Sequence, residues 1–565
     1  MNRRERRANR RQESICVAGS ASERIDLIAL AAAHHEHGRS HEAVRLLKQM
    51  LGREPGNADA HDVIAIAYQA LGRRDAAVKH FRQAFSFGLY GLRGGNVLIS
   101  QSPAVMAAQC RFTQVYPRRL LLAELLSAGN AVADDARLLA LLQSEIVRDV
   151  GLELFLTAVR RELLYALTGD EASVLAKNVF DLCCALSQQC FLNEYVFGLS
   201  DTERSQVARL RDRVIQAGAT GEPADLAVLG CYLPLHSLPD AARLLDRDLP
   251  WPKPLDALLT LQVREPLAEA SDVPAIPALT EVEDTTSKAV QQQYEESPYP
   301  RWVIPLPIRP MTLEAHLRER FDLADVHGDD ILIAGCGTGE QSVNTAQCFP
   351  QSNVLAIDIS RTSLAYARRK TRELGICNVE YAQADILKLG SLARRFDLIE
   401  SVGVLHHMSD PEAGWRALLP LLRGGGVMRI ALYSEAGRQP LNTARALIAE
   451  RNHRATAEGI RLWRQELIQR REEPPSTDFF STSSCRDLCF HVMEHRFTLP
   501  RIKRFLAANR LTLLGLETSP ETQQRFLQEH PEPAAETELD CWDTFERAHP
   551  QTFASMYYLW VRSSP

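Results

Sequence analysis

The stretch DILIAGCGTGEQSV, residues 330–343, decides the fold. Ile331 to Ala334 form a short apolar run of the kind that makes a buried strand. Gly335, Gly337 and Gly339 then mark a turn, and a helix is expected to follow. Glycines at such positions permit positive φ and let the backbone approach a ligand closely. Strand, glycine turn and helix in succession open a parallel sheet of the α/β kind.

Working outward toward the C-terminus, the alternation continues. VLAIDIS (354–360) reads as a second strand ending in Asp358, where an acid can take both hydroxyls of a ribose. VEYAQADIL (379–387) is a third strand ending in Asp385. FDLIESVGVLHHM (396–408) is a fourth, ending near Glu400 and Ser401, and GGGVMRIALYS (424–434) is a fifth after a glycine turn.

A glycine turn alone would suit NAD or FAD equally well. Three features favour another cofactor: the spacing is GxGxG rather than GxGxxG, Asp385 adds a second acid, and FDLIES is followed by LHHMSDP. Together they resemble the class I S-adenosylmethionine-dependent methyltransferases over about residues 290–435. The resemblance implies a Rossmann-like α/β domain that uses S-adenosyl-L-methionine and needs no metal. It implies that Gly335, Cys336, Gly337 and Gly339 pass the methionine moiety. Asp358, with Ile359 beside it, would bind the ribose, and Asp385 with Ile386 would contact the adenine. Ser401 and Val402 would line the cofactor near the substrate.

Residues 436–498 are expected to be an insert after the fifth strand that forms a substrate lid. LPRIKRFLAANRLTLLGLE (499–517) reads as a helix then a late strand of the sheet. If the methyl acceptor is a neutral amine or hydroxyl, a base can take its proton. His406, His407, His491, Glu494 and His495 are the candidates, since histidine titrates near neutrality. His491 and His495 would lie one helical turn apart and line a pocket together. The competing reading is a polar helix face in which Arg486, Asp487, Glu494 and Arg496 pair locally. On a helix, the Cys485–Cys489 and His491–His495 pairs face roughly 160° apart, so one ion is not held by all four.

Toward the N-terminus, YEESPYPRW (294–302) is stiff and aromatic. It is placed to cover the cofactor, with Tyr294 and Tyr299 stacking or hydrogen-bonding and Arg301 pairing with the methionine carboxylate. The plainer alternative is that Tyr299 and Trp302 anchor a linker. Residues 266–285 read as that linker, and the α/β domain as 286–565. Upstream, 92–265 reads as an all-helical domain. Within 24–91, AAAHHEHGRSHEAV aligns with AIAYQALGRRDAAV at a spacing of 34, so Gly38 matches Gly72 and Ala43 matches Ala77. This resembles the tetratricopeptide repeat and implies either a groove for a protein or peptide partner or a structural platform. The combination resembles bacterial proteins that join such repeats to a methyltransferase domain. The expected architecture is therefore multidomain: N-terminal all-α, with helical repeats and a helical domain, then Rossmann-like α/β.

Residues 1–23 read as a basic, disordered tail, where six arginines against Glu5 leave +5 over the first twelve residues. The 565-residue chain carries a net charge of −6, so a global basic field for nucleic acid is absent. Its twelve cysteines form no paired framework, and neither a secretory leader nor a membrane-spanning run stands out. A cytoplasmic protein is expected. Methyl transfer to a protein, peptide or small molecule leads. Transfer to RNA and a non-catalytic cofactor-binding scaffold are the alternatives.

Overall fold

The computed structural model describes residues 21–36, 38–86, 102–126, 131–169, 175–246, 250–303, 305, 308–323, 326, 328–532, 534–554 and 556–563. The arginine-rich tail lies outside them. The chain divides into two compact units. One comprises Met1–Gln189, Ser205–Arg211 and Glu222–Cys231, and the other Cys190–Arg204, Asp212–Gly221 and Tyr232–Pro565.

The first unit is helical. Helices Ala21–Glu36, Ser40–Leu51, Ala58–Ala70 and Arg74–Ser86 form two successive pairs. Gly38 and Gly72 sit at the matched turns with φ of +74° and +68°, a backbone state that a Cβ would strain. Ala43 and Ala77 are wholly buried, so the small side chains let the helices approach. Asn57 caps the third helix by accepting from the Ala60 N–H at 2.9 Å. Further helices, Val150–Thr168 among them, extend the unit.

The second unit holds a seven-stranded sheet. Its strands are β1 (Asp330–Ala334), β2 (Asn353–Asp358), β3 (Val379–Gln383), β4 (Phe396–Val402), β5 (Leu422–Tyr433), β6 (Leu511–Leu516) and β7 (Met556–Ser563). The order is β3-β2-β1-β4-β5-β7-β6. The first five strands are parallel, and β7 runs antiparallel between β5 and β6. Ile331 to Ala334 are wholly buried, as a central strand covered on both faces requires. Sequence order reverses between β1 and β4, and a crevice opens there at the carboxyl edge of the parallel strands. The β5–β7 register sets Met556 opposite Tyr433, which brings the start of β7 to that same edge.

One segment departs from the sequence reading. The stretch expected to be a free linker is ordered against the sheet. Helix Glu265–Asp272 pairs Glu265 and Glu269 with Arg369 at 3.0 and 2.7 Å, and Asp272 with Arg372 at 2.7 Å. Pro277 and Leu279 then hydrogen-bond Gln383 of β3, each at 2.8 Å. Acids that look solvating in the sequence are thus ion-pair partners of a helix on the sheet. The region after β5 carries helices Asn442–Arg451, Ala457–Arg470 and Thr482–Cys489 around their own core of Trp463, Phe479 and Phe490. Among the described residues no helix is long and apolar enough to cross a membrane.

Candidate active site

A cavity of about 380 Å³ lies at the carboxyl edge of β1, β2, β3 and β4. That volume is in the range of small-molecule sites. The glycine loop after β1 forms one wall. Gly335 has φ +86°, and a Cβ on it would stand 2.3 Å from Val404 Cγ2. Gly337 has φ +51°, and a Cβ there would stand 2.6 Å from the Tyr299 carbonyl oxygen. The loop therefore fits only because two side chains are missing.

Asp358 ties this loop in place. Its Oδ2 accepts from the Gly337 N–H at 2.8 Å, and its Oδ1 from the Ser360 N–H at 2.9 Å. Burial pushes its carboxyl up from the ordinary value, while the backbone donors of Ser360, Gly337 and Ile359 pull the other way. With about four lone-pair sites, the carboxylate still has room for a hydroxyl donor. Asp385 accepts from the Leu387 N–H at 3.0 Å through Oδ1. Its Oδ2 is buried without a hydrogen-bond partner among the described residues. Asp358, Ile359, Asp385 and Ile386 all line the cavity. A nucleoside with a diol and a base bearing N–H groups would satisfy these acceptors, so the residues present fit S-adenosylmethionine.

The YEESPYPRW segment packs on the loop. The Thr338 hydroxyl donates to the Pro300 carbonyl, and Trp302 Nε1 donates to the Thr338 carbonyl at 3.0 Å. Tyr294 and Tyr299 line the cavity. Burial raises both phenols far above their ordinary value, so they remain hydrogen-bond donors. Arg301 is not among the lining residues. Its Nε donates to Glu194 Oε1 at 3.1 Å, and its guanidinium lies 4.9 Å over the Phe191 ring. Arg301→Ala is therefore expected to leave affinity for S-adenosylhomocysteine within about twofold while lowering stability by about 1–3 kcal/mol, because Glu194 loses its partly buried partner. Titration calorimetry and urea denaturation check the two halves.

At the opposite wall lies a hydrogen-bonded group of polar side chains. His407 lines the cavity and is only 4% exposed. Its Nδ1 lies 2.7 Å from the Met493 carbonyl, which can only accept, so Nδ1 carries the proton. Nε2 is then a bare lone pair, buried, with no hydrogen-bond partner among the described residues. It stands 4.0 Å from Asp487 Oδ1. Asp487 accepts from the hydroxyls of Tyr294 at 2.7 Å and Tyr433 at 3.3 Å. His491 stacks on His407 at 3.6 Å between centroids and meets the Tyr294 hydroxyl at 3.2 Å through Nε2. Its Nδ1 accepts from the Met493 N–H at 3.1 Å, which leaves the proton on Nε2. His407, Asp487 and His491 are close enough together to hold an ion. Yet a ring that accepts a backbone N–H at one nitrogen cannot offer the other as a neutral metal ligand. This tautomer pattern suits proton handling.

Burial is the main cause that lowers His407 from 6.5 to about 4 and His491 to about 3. In that window the unfolded chain takes up a proton that the folded rings refuse. Stability is complete above pH 6.5 and falls as the pH drops toward 4, by about 3 kcal/mol for His407 alone. Urea midpoints measured across this range should show the loss, and His407→Gln should remove the His407 share while the His491 share persists.

The remaining sequence candidates divide between the cavity wall and positions behind it. Gly335, Cys336, Gly337 and Val402 line it, whereas Gly339 and Ser401 are not among the lining residues. Gly339 begins the following helix with φ +84°, and Ser401 bonds the Ala334 carbonyl at 3.0 Å between strands. His406 is wholly buried and stacks on Tyr433 at 3.7 Å. The His495 N–H donates to the His406 carbonyl at 2.8 Å. His491 and His495 do not share a helix, because the helix ends at Cys489. The Leu488 carbonyl, which a longer helix would use, accepts instead from Arg438 and Arg445 at 2.8 and 3.0 Å. The Val492 N–H turns to Gln293 Oε1 at 3.3 Å. Arg486 and Glu494 do not pair with each other either: Arg486 binds Glu296, and Glu494 binds Arg438, Arg445 and Arg496. Asp487, Tyr433, Tyr558 and Met556 complete the cavity, and sequence reading did not place them in it.

Residues 331–426 match a family described as methyltransferase domain, and residues 34–85 match a tetratricopeptide repeat. An uncharacterized protein of Synechococcus sp. is 31% identical over 202 residues, covering 33% of this chain and 48% of that one. The trans-aconitate 2-methyltransferase of Deinococcus radiodurans is 38% identical over 100 residues, covering 18% of this chain and 36% of that one. Among solved structures, PKMT2 from Rickettsia typhi in complex with AdoHcy is 17% identical, covering 46% of this chain and 55% of that one at a TM-score of 0.33. The chain spans about half the length, or less, of these two curated relatives.

Proposed function

We propose that this chain, which carries a methyltransferase domain together with tetratricopeptide repeats, is an S-adenosylmethionine-dependent methyltransferase whose acceptor enters the cavity at the carboxyl edge of the sheet. The acceptor is a protein, a peptide or a small molecule, and the repeats recruit a partner or substrate. Asp358 carries the reading: one buried carboxylate both ties down the glycine loop and faces the cavity.

Gly335, Gly337, Asp358, Asp385 and Ile386 would hold the cofactor. When bound, S-adenosylmethionine supplies a methyl group already activated on a sulfonium. What remains for the protein is to orient the acceptor, exclude water and receive a proton. Tyr294 and Tyr299 close the cavity from the segment laid over the glycine loop. His407 Nε2 is the one histidine lone pair that meets the cavity unpartnered among the described residues. It is suited to take the proton of an N–H or O–H acceptor.

The test supplies labelled S-adenosylmethionine and the full chain to an extract of the source cells. Label entering protein or small molecules, and not with His407→Ala, is the expected result. Label in RNA alone would overturn the acceptor class, and no incorporation would overturn the activity.

A further inference from the structure

The geometry points to a basic amine as the acceptor's reacting group, because among the described residues a buried carboxylate with no lysine or arginine in ion-pairing distance stands beside a bare histidine nitrogen in a cavity that neither lysine nor arginine lines. This rests on the methyltransferase reading above.

The charged side chains lining the cavity are all acidic: Glu340, Asp358, Asp385 and Asp487. Asp358 and Asp385 are accounted for by the cofactor. Asp487 is not. It lies on helix Thr482–Cys489, apart from the glycine loop, and is 5% exposed. Two tyrosine hydroxyls donate to it, but among the described residues no lysine or arginine lies within ion-pairing distance. Arg438 and Arg445 are held by Glu494, and Arg438 acts on Asp487 only from beyond ion-pairing distance. A buried carboxylate in this state is costly unless a cation reaches it. His407 cannot serve, since burial keeps it neutral at physiological pH.

An ammonium group meets the whole set of needs. It carries the missing charge for Asp487 and several N–H donors, one of which can face the His407 Nε2 lone pair, 4.0 Å from Asp487 Oδ1. For transfer, that proton passes to His407 Nε2, where Asp487 faces the charge it brings, and the freed nitrogen lone pair would form the N–CH3 bond as the S–CH3 bond of the sulfonium breaks and leaves its electron pair on sulfur. A single hydroxyl offers one proton and no charge. A carboxylate or phosphate offers only acceptors, of the same sign as the wall. Tyr294 and Tyr299 also line the cavity, and tyrosine faces attract a desolvated ammonium, whereas Arg429 already lies 5.6 Å over the Tyr558 ring. Tyr433 contributes only its hydroxyl, because His406 at 3.7 Å and Arg438 at 3.9 Å cover its ring.

The experiment saturates the full chain with S-adenosylhomocysteine and titrates n-butylamine, n-butanol and butyrate at pH 8, reading calorimetry and thermal shift. The amine should bind at least about tenfold more tightly than either isostere. Asp487→Asn should erase that preference while S-adenosylhomocysteine affinity stays within about twofold. Equal binding of butanol or butyrate by the wild-type chain overturns the inference and leaves the methyltransferase reading standing. So does a preference that survives in Asp487→Asn. A chain that fails to bind S-adenosylhomocysteine removes both. The wild-type comparison needs no variant, so misfolding of Asp487→Asn does not blunt the test.

Discussion

Asp358→Ala lowers the affinity for S-adenosylhomocysteine about a hundredfold in a calorimetric titration, or about 2.7 kcal/mol. Two effects add. The carboxylate's free lone pairs no longer meet the ribose hydroxyls, and charge-assisted bonds of that kind are the strong ones. The Gly337 and Ser360 N–H groups also lose their acceptor, so the loop is no longer held in the shape that its glycines permit. Asp358→Asn separates these contributions. The amide keeps the size of the side chain and one acceptor oxygen, but its NH₂ then faces one of the two backbone donors. A loss of about tenfold is expected there. If Asp358→Ala binds within threefold of the wild type and melts normally, the cofactor does not lie against β2.

His407→Ala lowers kcat by about 10²–10³ with S-adenosylhomocysteine affinity unchanged, within the usual contribution of a positioned base. The Met493 carbonyl holds the proton on Nδ1 and so keeps Nε2 open. Burial lowers the ring to about 4. The base is therefore competent above pH 5, and its acid limb in the pH–rate profile should fall near pH 4 rather than near 6.5. The limb should disappear in His407→Ala, leaving a lower, flatter profile. A loss below tenfold, or an acid limb near 6.5, would remove His407 from proton transfer.

The cavity wall built by the glycine loop and the strand-end acids was legible because its residues are local in sequence. Gly335, Gly337 and Asp358 follow strands whose apolar runs are visible in the sequence, and Asp385 stands two residues past β3. The repeat was legible for a similar reason, since Gly38 and Gly72 need the same backbone state 34 residues apart. The opposite wall was not. Asp487 meets Tyr294 across 193 positions and Tyr433 across 54. Met556 and Tyr558 reach the cavity only because β7 runs antiparallel to β5. Arg301 looked like a carboxylate ligand because nothing near it in sequence predicts Glu194 and Phe191 as neighbours. The helical spacing of His491 and His495 misled because Arg438 and Arg445, from the segment after β5, take the carbonyl that would have prolonged the helix.

Equilibrium dialysis of labelled S-adenosylmethionine against the full chain tests the central claim most directly. Saturable binding at one site per chain is predicted, displaced by excess S-adenosylhomocysteine, unaffected by NAD and lost in Asp358→Ala. Absence of binding, or displacement by NAD, would contradict it.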